Sequence, residues 1–290
     1  MATRKGEATE AGVPAPQTIV LADNDPLILE GVGELLRNKE YEVHTARDGL
    51  EALRAIRRLN PAYVILDVVL PKIDGSRLCG IIRHDRLLRH TAIIALSALS
   101  PEQIRRFPAV SADAYVAKAP LAVMASNLLL AIKYLDERER SDLGGGIFGY
   151  DGFRARTLIS EMLTVRQHCE ALMRMFSHGV LELDPDGVVL MANAEASRIL
   201  GKKELRLIAE PFAQLFPPRD RQVIEDLLAD LKKSRLAEEC RLVTTLGSRD
   251  VSVRLSAAVE EGECTGFLVT LESGRGEGPA RRPAGAAGAD

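Results

Sequence analysis

The stretch YVILDVVLPKIDG, residues 63–75, places a carboxylate, Asp67, directly after a run of apolar residues. Removing water from a carboxylate is costly unless a partner compensates, so a buried strand rarely ends on an acid without a reason. Pro71 and Gly75 then indicate a turn. Two interpretations follow: Asp67 caps a loop, or the strand presents it at the edge of a sheet for chemistry. The rest of the chain favours the second.

Length and composition limit the class of protein. The chain has 290 residues, enough for about two domains, and 46% of them are hydrophobic, which suffices for buried cores. A net charge of −3 indicates that nucleic acid is not the main partner. The first residues hold no apolar segment typical of a secretory signal, and no run of about 18 apolar residues predicts a membrane span. Because the cysteines form no CxxC pair, neither a zinc site nor a disulfide framework is expected, and we expect a cytoplasmic protein.

The first half of the chain alternates short apolar runs with segments of helical periodicity. Such alternation predicts right-handed crossovers and an α/β fold, a doubly wound five-stranded parallel sheet. In such a sheet, ligands bind beyond the carboxyl ends of the strands. The five runs are TIVLA (18–22), YEVHTA (41–46), AYVILD (62–67), AIIALS (92–97) and AYVAK (114–118).

Four of these runs end on, or lead directly into, polar residues. If the strand ends gather at one edge, that edge holds oxygen ligands suited to Mg²⁺, a carboxylate, a hydroxyl and an ammonium. A carboxylate can accept a phosphoryl group as a nucleophile, and the other groups would balance its charge. The pattern therefore predicts that a phosphate is placed on Asp67. The residues are Asp23 and Asn24 after the first strand, Asp67, Ser97 and Lys118.

With these residues in this order, residues 18–135 resemble the receiver domain of two-component response regulators, which is flavodoxin-like. The resemblance implies a histidine kinase or phosphotransfer protein as the phosphoryl donor. It implies no enzymatic activity beyond the domain's own phosphorylation and dephosphorylation. The implied roles are phosphoacceptor for Asp67, Mg²⁺ ligands for Asp23, Asn24, Asp67 and the backbone carbonyl of Val69, catalytic support for Ser97 and Lys118, and switch residues for Ser97 and Tyr115.

Two positions depart from the receiver pattern. Asn24 stands where a second acid is usual, which removes one negative charge and predicts weaker Mg²⁺ binding. Ala119 separates Lys118 from Pro120, whereas proline usually follows the lysine directly. A receiver that no longer accepts phosphate and acts as a scaffold is therefore an alternative. A phosphatase of the haloacid-dehalogenase type is excluded, because it needs an acid where Val69 stands.

The second half has a different order of elements. Two strands joined by the turn DPDG (184–187) precede helical segments and three further strands, which predicts an α+β domain with an antiparallel sheet. The segment GVLELDPDGVVLMANAEASRILG (179–201), with Asn193 at a helix start, resembles the opening of a PAS domain.

The PAS resemblance leaves the ligand unknown. Haem is not expected because no histidine follows His178 in this domain, and Cys240 does not lie in a flavin photosensor motif. We favour a packed core or a dimer surface over a bound ligand. Because His178 is followed by Gly179 at a strand, it is interpreted as an ordinary residue at the start of the domain. A ligand-sensing PAS adaptor with a degenerate receiver stays a second alternative.

Between the two halves, a helical segment carries apolar residues spaced alternately four and three apart. This spacing favours a coiled coil, with a homodimer formed through residues 153–176 and the PAS domain; the alternative is an amphipathic helix that packs on a neighbouring domain. The seam consists of Leu158, Met162, Val165, Cys169, Leu172 and Phe176. The expected layout is a disordered tail (1–16), the receiver (17–136), a linker with this helix (137–174), the PAS domain (175–273) and a second disordered tail (274–290).

Overall fold

The computed structural model describes residues 16–106, 111–137, 146–150, 157–233 and 239–273. The chain divides into two compact units, Met1–Arg156 and Thr157–Asp290. Apart from Pro16, the expected disordered tails (1–16 and 274–290) lie outside the described residues. None of the described helices combines the length and apolarity needed to cross a bilayer.

The first unit contains a parallel sheet whose strands occur in the order β2-β1-β3-β4-β5-β6. The predicted parallel α/β class is confirmed, but the part of the sheet that the structure describes has six strands and not five. The additional strand lies in the segment expected to be a linker, and its three residues are too few to show a periodicity. The strands are β1 (Thr18–Ala22), β2 (Glu42–Ala46), β3 (Tyr63–Asp67), β4 (Ala92–Ser97), β5 (Ala114–Ala117) and β6 (Gly146–Phe148).

Helices form two layers around this sheet. The first and fifth helices contact each other, and so do the second and third, so helical layers flank the buried strands. Aspartates begin three of these helices: Asp25, Asp48 and Asp74 each accept a hydrogen bond from a backbone N–H two or three residues later, at 2.8–2.9 Å. The helices are α1 (Pro26–Arg37), α2 (Gly49–Leu59), α3 (Gly75–His84), α4 (Pro101–Arg106) and α5 (Leu121–Glu137).

The second unit is an α+β fold with an antiparallel sheet in the order β8-β7-β11-β10-β9, as the sequence predicts. Its core contains the aromatic side chains of Phe212, Phe216 and Phe267 among buried aliphatic residues. The elements are α6 (Thr157–Met175), β7 (Gly179–Leu183), β8 (Val189–Ala192), α7 (Ala194–Leu200), α8 (Glu204–Leu207), a 3-10 helix (Phe212–Leu215), α9 (Pro218–Lys233), β9 (Glu239–Leu246), β10 (Arg249–Glu260) and β11 (Glu263–Ser273).

One buried amide joins several elements of the second unit. Asn193, only 4% exposed, caps α7 by accepting a hydrogen bond from Ala196 N–H at 2.8 Å, and it accepts another from Val180 N–H at 2.9 Å. Its Nδ2 donates to the carbonyl oxygens of Met173 at 3.2 Å and His178 at 2.9 Å. The end of α6 is thereby tied to β7 and α7.

Candidate functional site

The carboxyl ends of the central strands bring the predicted site residues to one edge of the first unit's sheet. In the parallel register, Asp67 lies opposite Leu96, and Ser97 lies opposite Ala117. The Lys118 N–H donates to the Ser97 carbonyl oxygen at 2.9 Å, which continues the ladder beyond β5. The register therefore places Asp67, Ser97 and Lys118 at the same level of the sheet.

An ammonium joins two carboxylates at this edge. Lys118 Nζ lies 2.8 Å from Asp23 Oδ2 and 2.8 Å from Asp67 Oδ2. Asp23 is 0% exposed and Asp67 is 7% exposed, so the pairs are largely removed from water. The cluster carries two negative charges and one positive charge when all three groups are ionised.

Burial and charge act in opposite directions on these groups. Burial raises the pKa of Asp67, and attraction to Lys118 offsets this only in part, so the pKa stays above its usual value. Burial lowers the pKa of Lys118, but the combined attraction of Asp67 and Asp23 outweighs it and raises the pKa overall. Lys118 is therefore the protonated counter-charge of the cluster.

The loop after β3 holds Asp67 in place. Asp67 Oδ1 accepts a hydrogen bond from Val69 N–H at 3.2 Å, and Gly75 N–H donates to the Val68 carbonyl oxygen at 3.1 Å. A Cβ atom on Gly75 would lie 2.3 Å from the Asp67 carbonyl oxygen, so only glycine permits this approach. The turn signals of the opening stretch thus serve to close the loop on Asp67.

The residues after β1 have separate tasks. Asp23 Oδ1 accepts a hydrogen bond from Asp25 N–H at 2.9 Å, while its other oxygen pairs with Lys118. Asp25 caps α1 and precedes Pro26, so its side chain serves the helix. The Asn24 side chain is exposed beside the cluster.

The donor chemistry of this edge fits Mg²⁺. Its predicted ligands, Asp23, Asn24, Asp67 and the Val69 carbonyl, are all oxygen donors, and the Lys118 ammonium lies beside the buried Asp23 carboxylate. Within the described residues, no group of three or more His, Cys, Asp or Glu side chains is arranged to hold a metal. Mg²⁺ accepts such a sparse set because it keeps several waters and takes phosphate oxygens as ligands.

The two predicted switch residues have different surroundings. Ser97 is 1% exposed, and its Oγ accepts a hydrogen bond from Leu99 N–H at 3.1 Å. The Tyr115 hydroxyl accepts a hydrogen bond from Ala112 N–H at 3.3 Å, and burial raises the pKa of Tyr115. Ser97 thus belongs to the edge with Lys118, whereas the Tyr115 hydroxyl is held by a backbone group three residues earlier.

Tyr150 is a site residue that the sequence did not reveal. Its hydroxyl is enclosed by the protein and faces the Ser97 side chain. Burial raises the pKa of Tyr150 to about 12, and the Ser97 hydroxyl, acting as a hydrogen-bond partner, lowers it in part. The one signal in the sequence is the aromatic pair in GIFGY, residues 146–150, within a stretch that is otherwise rich in glycine and charge.

The apolar seam of α6 stays largely exposed within the second unit. Leu163, which is not part of the seam, is buried. The Leu158 side chain lies outside the described residues, and Cys169 is exposed. The other predicted seam residues are exposed to 50% (Met162), 62% (Val165), 59% (Leu172) and 54% (Phe176, which directly follows the end of α6).

Comparisons with known proteins agree with the domain predicted for each half of the chain. A family model for the response regulator receiver domain matches residues 19–128, and a model for the PAS fold matches residues 167–273. The chain is 31% identical over 183 residues to the transcriptional regulatory protein PdtaR of Mycobacterium tuberculosis, which covers 62% of this chain and 83% of that protein.

A second relative is much longer. The sensor histidine kinase TmoS of Ectopseudomonas mendocina is 26% identical over 250 residues, which is 80% of this chain but only 25% of the kinase. Among solved structures, the chemotaxis response regulator CheY4 of Vibrio cholerae matches with 27% identity and a TM-score of 0.37, covering 40% of this chain and 97% of that one. The chain belongs to the response-regulator family, with a flavodoxin-like receiver domain followed by a PAS domain.

Proposed function

We propose that this protein is a cytoplasmic response regulator of a two-component phosphorelay that accepts a phosphoryl group on Asp67. The donor is a histidine kinase or a phosphotransfer protein, and the signal leaves through the PAS domain by protein contact. The observation that carries this proposal is the pairing of Lys118 with both Asp23 and Asp67 at 2.8 Å at the carboxyl edge of the sheet.

The transfer needs one nucleophile and a means of balancing charge. An Asp67 carboxylate oxygen forms a bond to phosphorus as the bond from phosphorus to the donor nitrogen breaks, and the donor imidazole keeps that electron pair. Lys118 stays protonated and attracts the phosphoryl oxygens, while the Ser97 hydroxyl can donate a hydrogen bond to one of them. A Mg²⁺ ion held by Asp23, Asn24, Asp67 and the Val69 carbonyl would supply the further positive charge that the group requires.

Phosphorylation changes the local charge. The phosphoryl group adds roughly −1.5 to −2 charges if it resembles other phosphoresidues. Lys118 and Ser97 are placed to interact with the new negative charge, because they lie at the same level of the sheet as Asp67. When Ser97 moves towards the phosphoryl group, the side chain of Tyr115, on the neighbouring strand, would move into the space that Ser97 leaves.

The output is proposed to act between protein chains. The buried core of the PAS domain, which includes the large side chains of Phe212, Phe216 and Phe267, favours protein contact over ligand sensing. The exposed seam of α6 supports a homodimer. PdtaR is described as a transcriptional regulatory protein, but the net charge of −3 favours a protein partner here over nucleic acid.

Transfer to Asp67 can be tested with the purified chain. Incubation with a small phosphodonor and Mg²⁺ should add one base-labile phosphoryl group, detected by intact mass, and Asp67→Asn should abolish it. Asp25→Asn is the matched control, because asparagine caps a helix as well as aspartate does, and it should label normally.

A receiver that acts without phosphate is the rival, because the exposed Asn24 supplies no charge for Mg²⁺. Wild-type protein that stays unlabelled at saturating Mg²⁺, by the small donor and by partner kinases alike, would establish the scaffold. Label that persists in Asp67→Asn would show a different acceptor.

A further inference from the structure

The turn between β2 and α2 contacts both segments that carry the predicted Mg²⁺ ligands. On one side, the backbone N–H of Asp23 donates to the Ala46 carbonyl oxygen at 3.1 Å. On the other side, the N–H of Gly49 donates to the Pro71 carbonyl oxygen at 3.0 Å. Residues 46–49, here called the bridge turn, therefore connect the end of β1 with the loop that follows β3.

A close backbone approach holds the β3 loop against the start of α2. A Cβ atom on Gly49 would lie 1.7 Å from the Ile73 carbonyl oxygen, a distance that no real side chain allows, so glycine is required at this position. The Pro71 carbonyl oxygen also accepts a hydrogen bond from Ile73 N–H at 2.8 Å, and the Ile73 side chain is fully buried. The loop is thus fixed to the bridge turn directly before and after Lys72.

Lys72 itself has a strained backbone conformation. Its φ is +63°, in the left-handed region that residues other than glycine seldom adopt. Such strain persists only where the surrounding contacts hold it. The Lys72 ammonium lies 2.7 Å from Asp48 Oδ2, while Asp48 Oδ1 caps α2 by accepting a hydrogen bond from Glu51 N–H at 2.8 Å. The ion pair therefore adds a side-chain contact to the backbone hydrogen bond between the bridge turn and the loop.

We infer that Lys72 is a positioning residue of the phosphorylation site, whose ion pair with Asp48 ties the β3 loop to the bridge turn and so fixes the spacing between two sets of Mg²⁺ ligands. This inference rests on the proposed phosphorylation of Asp67 with Mg²⁺. Because Mg²⁺ demands near-ideal octahedral geometry, a loop that is held less firmly lowers the affinity for the ion. The sets on the two sides of the bridge turn are Asp23 with Asn24, and Asp67 with the Val69 carbonyl.

Lys72→Met separates positioning from a simple charge effect, because the two predict opposite signs. Removing a cation from the loop that follows Asp67 would strengthen Mg²⁺ binding through space, whereas loosening the loop weakens it. We expect Mg²⁺ binding to the full chain, measured by isothermal titration calorimetry without a phosphodonor, to weaken about two- to fivefold, as for a partly exposed ion pair. Lys72→Arg keeps the charge and should bind like the wild type. Lys133→Met, on α5, makes the same change in net charge and should also leave binding unaltered.

Asp48→Asn tests the other partner of the ion pair. Asparagine caps a helix as well as aspartate does, so the change removes the ion pair and keeps the cap. Since both substitutions break the same contact, the double variant should bind Mg²⁺ no more weakly than the weaker of the two single variants. Additive losses would show that the two residues act separately and would overturn the positioning role. Unchanged or tighter Mg²⁺ binding in Lys72→Met would overturn it as well.

Amide exchange tests the same contact without phosphorylation. In Lys72→Met, the Gly49 N–H should exchange with deuterium about two- to fivefold faster, measured by NMR, because its hydrogen bond to Pro71 opens more often. If Asp67 takes label while Lys72→Met changes neither Mg²⁺ binding nor this exchange, the positioning role is overturned and the proposed function stands. If the wild type neither binds Mg²⁺ nor takes label, the proposed function fails. The exchange of Gly49 then decides alone: a faster rate supports the tie between loop and turn, and an unchanged rate overturns it.

Discussion

The Lys118 ammonium lies 2.8 Å from Asp67 Oδ2, so the proposed phosphoacceptor is already paired with a cation before any phosphate arrives. The same ammonium is 2.8 Å from the fully buried Asp23 carboxylate. Two carboxylates so close in a site with little water repel each other, and the cation between them offsets that repulsion. Lys118 therefore contributes to the stability of the receiver as well as to its chemistry.

Lys118→Met should show both contributions. Methionine keeps an unbranched side chain of similar length but leaves two buried carboxylates without a counter-charge. We expect the free energy of unfolding of the receiver to fall by about 3 kcal/mol, since removing one partner of a buried ion pair typically costs about 3–5 kcal/mol. The rate of Asp67 labelling should also fall. Urea denaturation followed by circular dichroism, together with intact mass, measures the two effects.

Lys133→Met is the control for this experiment. Lys133 is on α5 and pairs with Glu137 at 3.6 Å, but its side chain is 70% exposed. Such surface pairs contribute about 0–1 kcal/mol, so little change is expected. Equal losses in the two variants would show that the Lys118 pairs are no more important than a surface contact.

Asn24→Asp should strengthen Mg²⁺ binding. The substitution supplies the second acid usual in receivers, on a side chain that is exposed beside Asp23. A further unit charge about 4 Å from a divalent ion gains about 2 kcal/mol in water, so the Mg²⁺ concentration needed for half-maximal labelling of Asp67 should fall by on the order of thirtyfold. Asn38→Asp, at the far end of α1, makes the same change in net charge and should leave that concentration unaltered. An identical shift in both variants would mean that only the overall charge matters.

The sequence predicted most of the receiver site because parallel strands bring their carboxyl ends to one edge. Asp23, Asp67 and Lys118 each follow or end an apolar run, and the register alone places them at the same edge. The roles proposed for these residues stay predictions. That the residues lie close together follows from where the strands end, and it did not require knowledge of how side chains pack. In the second half, the spacing of apolar residues predicted the order of the strands and helices, because each element is long enough to show its own periodicity.

Tyr150 and β6 could not be predicted in this way. A strand of three residues has no periodicity, and the neighbouring glycines indicated only a break in a helix. The position of Tyr150 depends on how residues 146–148 pair with β5 and pack against α5, which is a property of tertiary packing. Periodicity likewise predicted the α6 seam but not whether another element of its unit would cover it.

Asn193→Ala should destabilise the PAS domain. The change removes the cap of α7, which typically contributes about 0.5–2 kcal/mol, and leaves the buried Val180 N–H without its acceptor. We expect a loss of about 2–4 kcal/mol in the free energy of unfolding, measured by urea denaturation. Asn193→Asp keeps the acceptor oxygen but loses the hydrogen bonds donated to Met173 and His178. Its free energy of unfolding should therefore lie between those of the wild type and Asn193→Ala. An alanine variant as stable as wild type would show that water replaces these contacts.

Substitutions on the α6 seam should decide between its two interpretations. Val165 and Leu172 are 62% and 59% exposed within their own unit, so a coiled-coil partner would bury both. Burying an aliphatic side chain stabilises by about 1.5–3 kcal/mol, so Val165→Glu or Leu172→Glu should weaken dimer formation at least about tenfold in sedimentation equilibrium.

His168→Glu is the matched control for the seam, because this residue lies on the same helix, is exposed and is not part of the seam. It should leave the dimer intact. A wild-type chain that sediments as a monomer would remove the homodimer from the proposed function. If that monomer also becomes less stable with Val165→Glu but not with His168→Glu, the seam packs against another part of its own chain, because only a buried position is sensitive to the new charge.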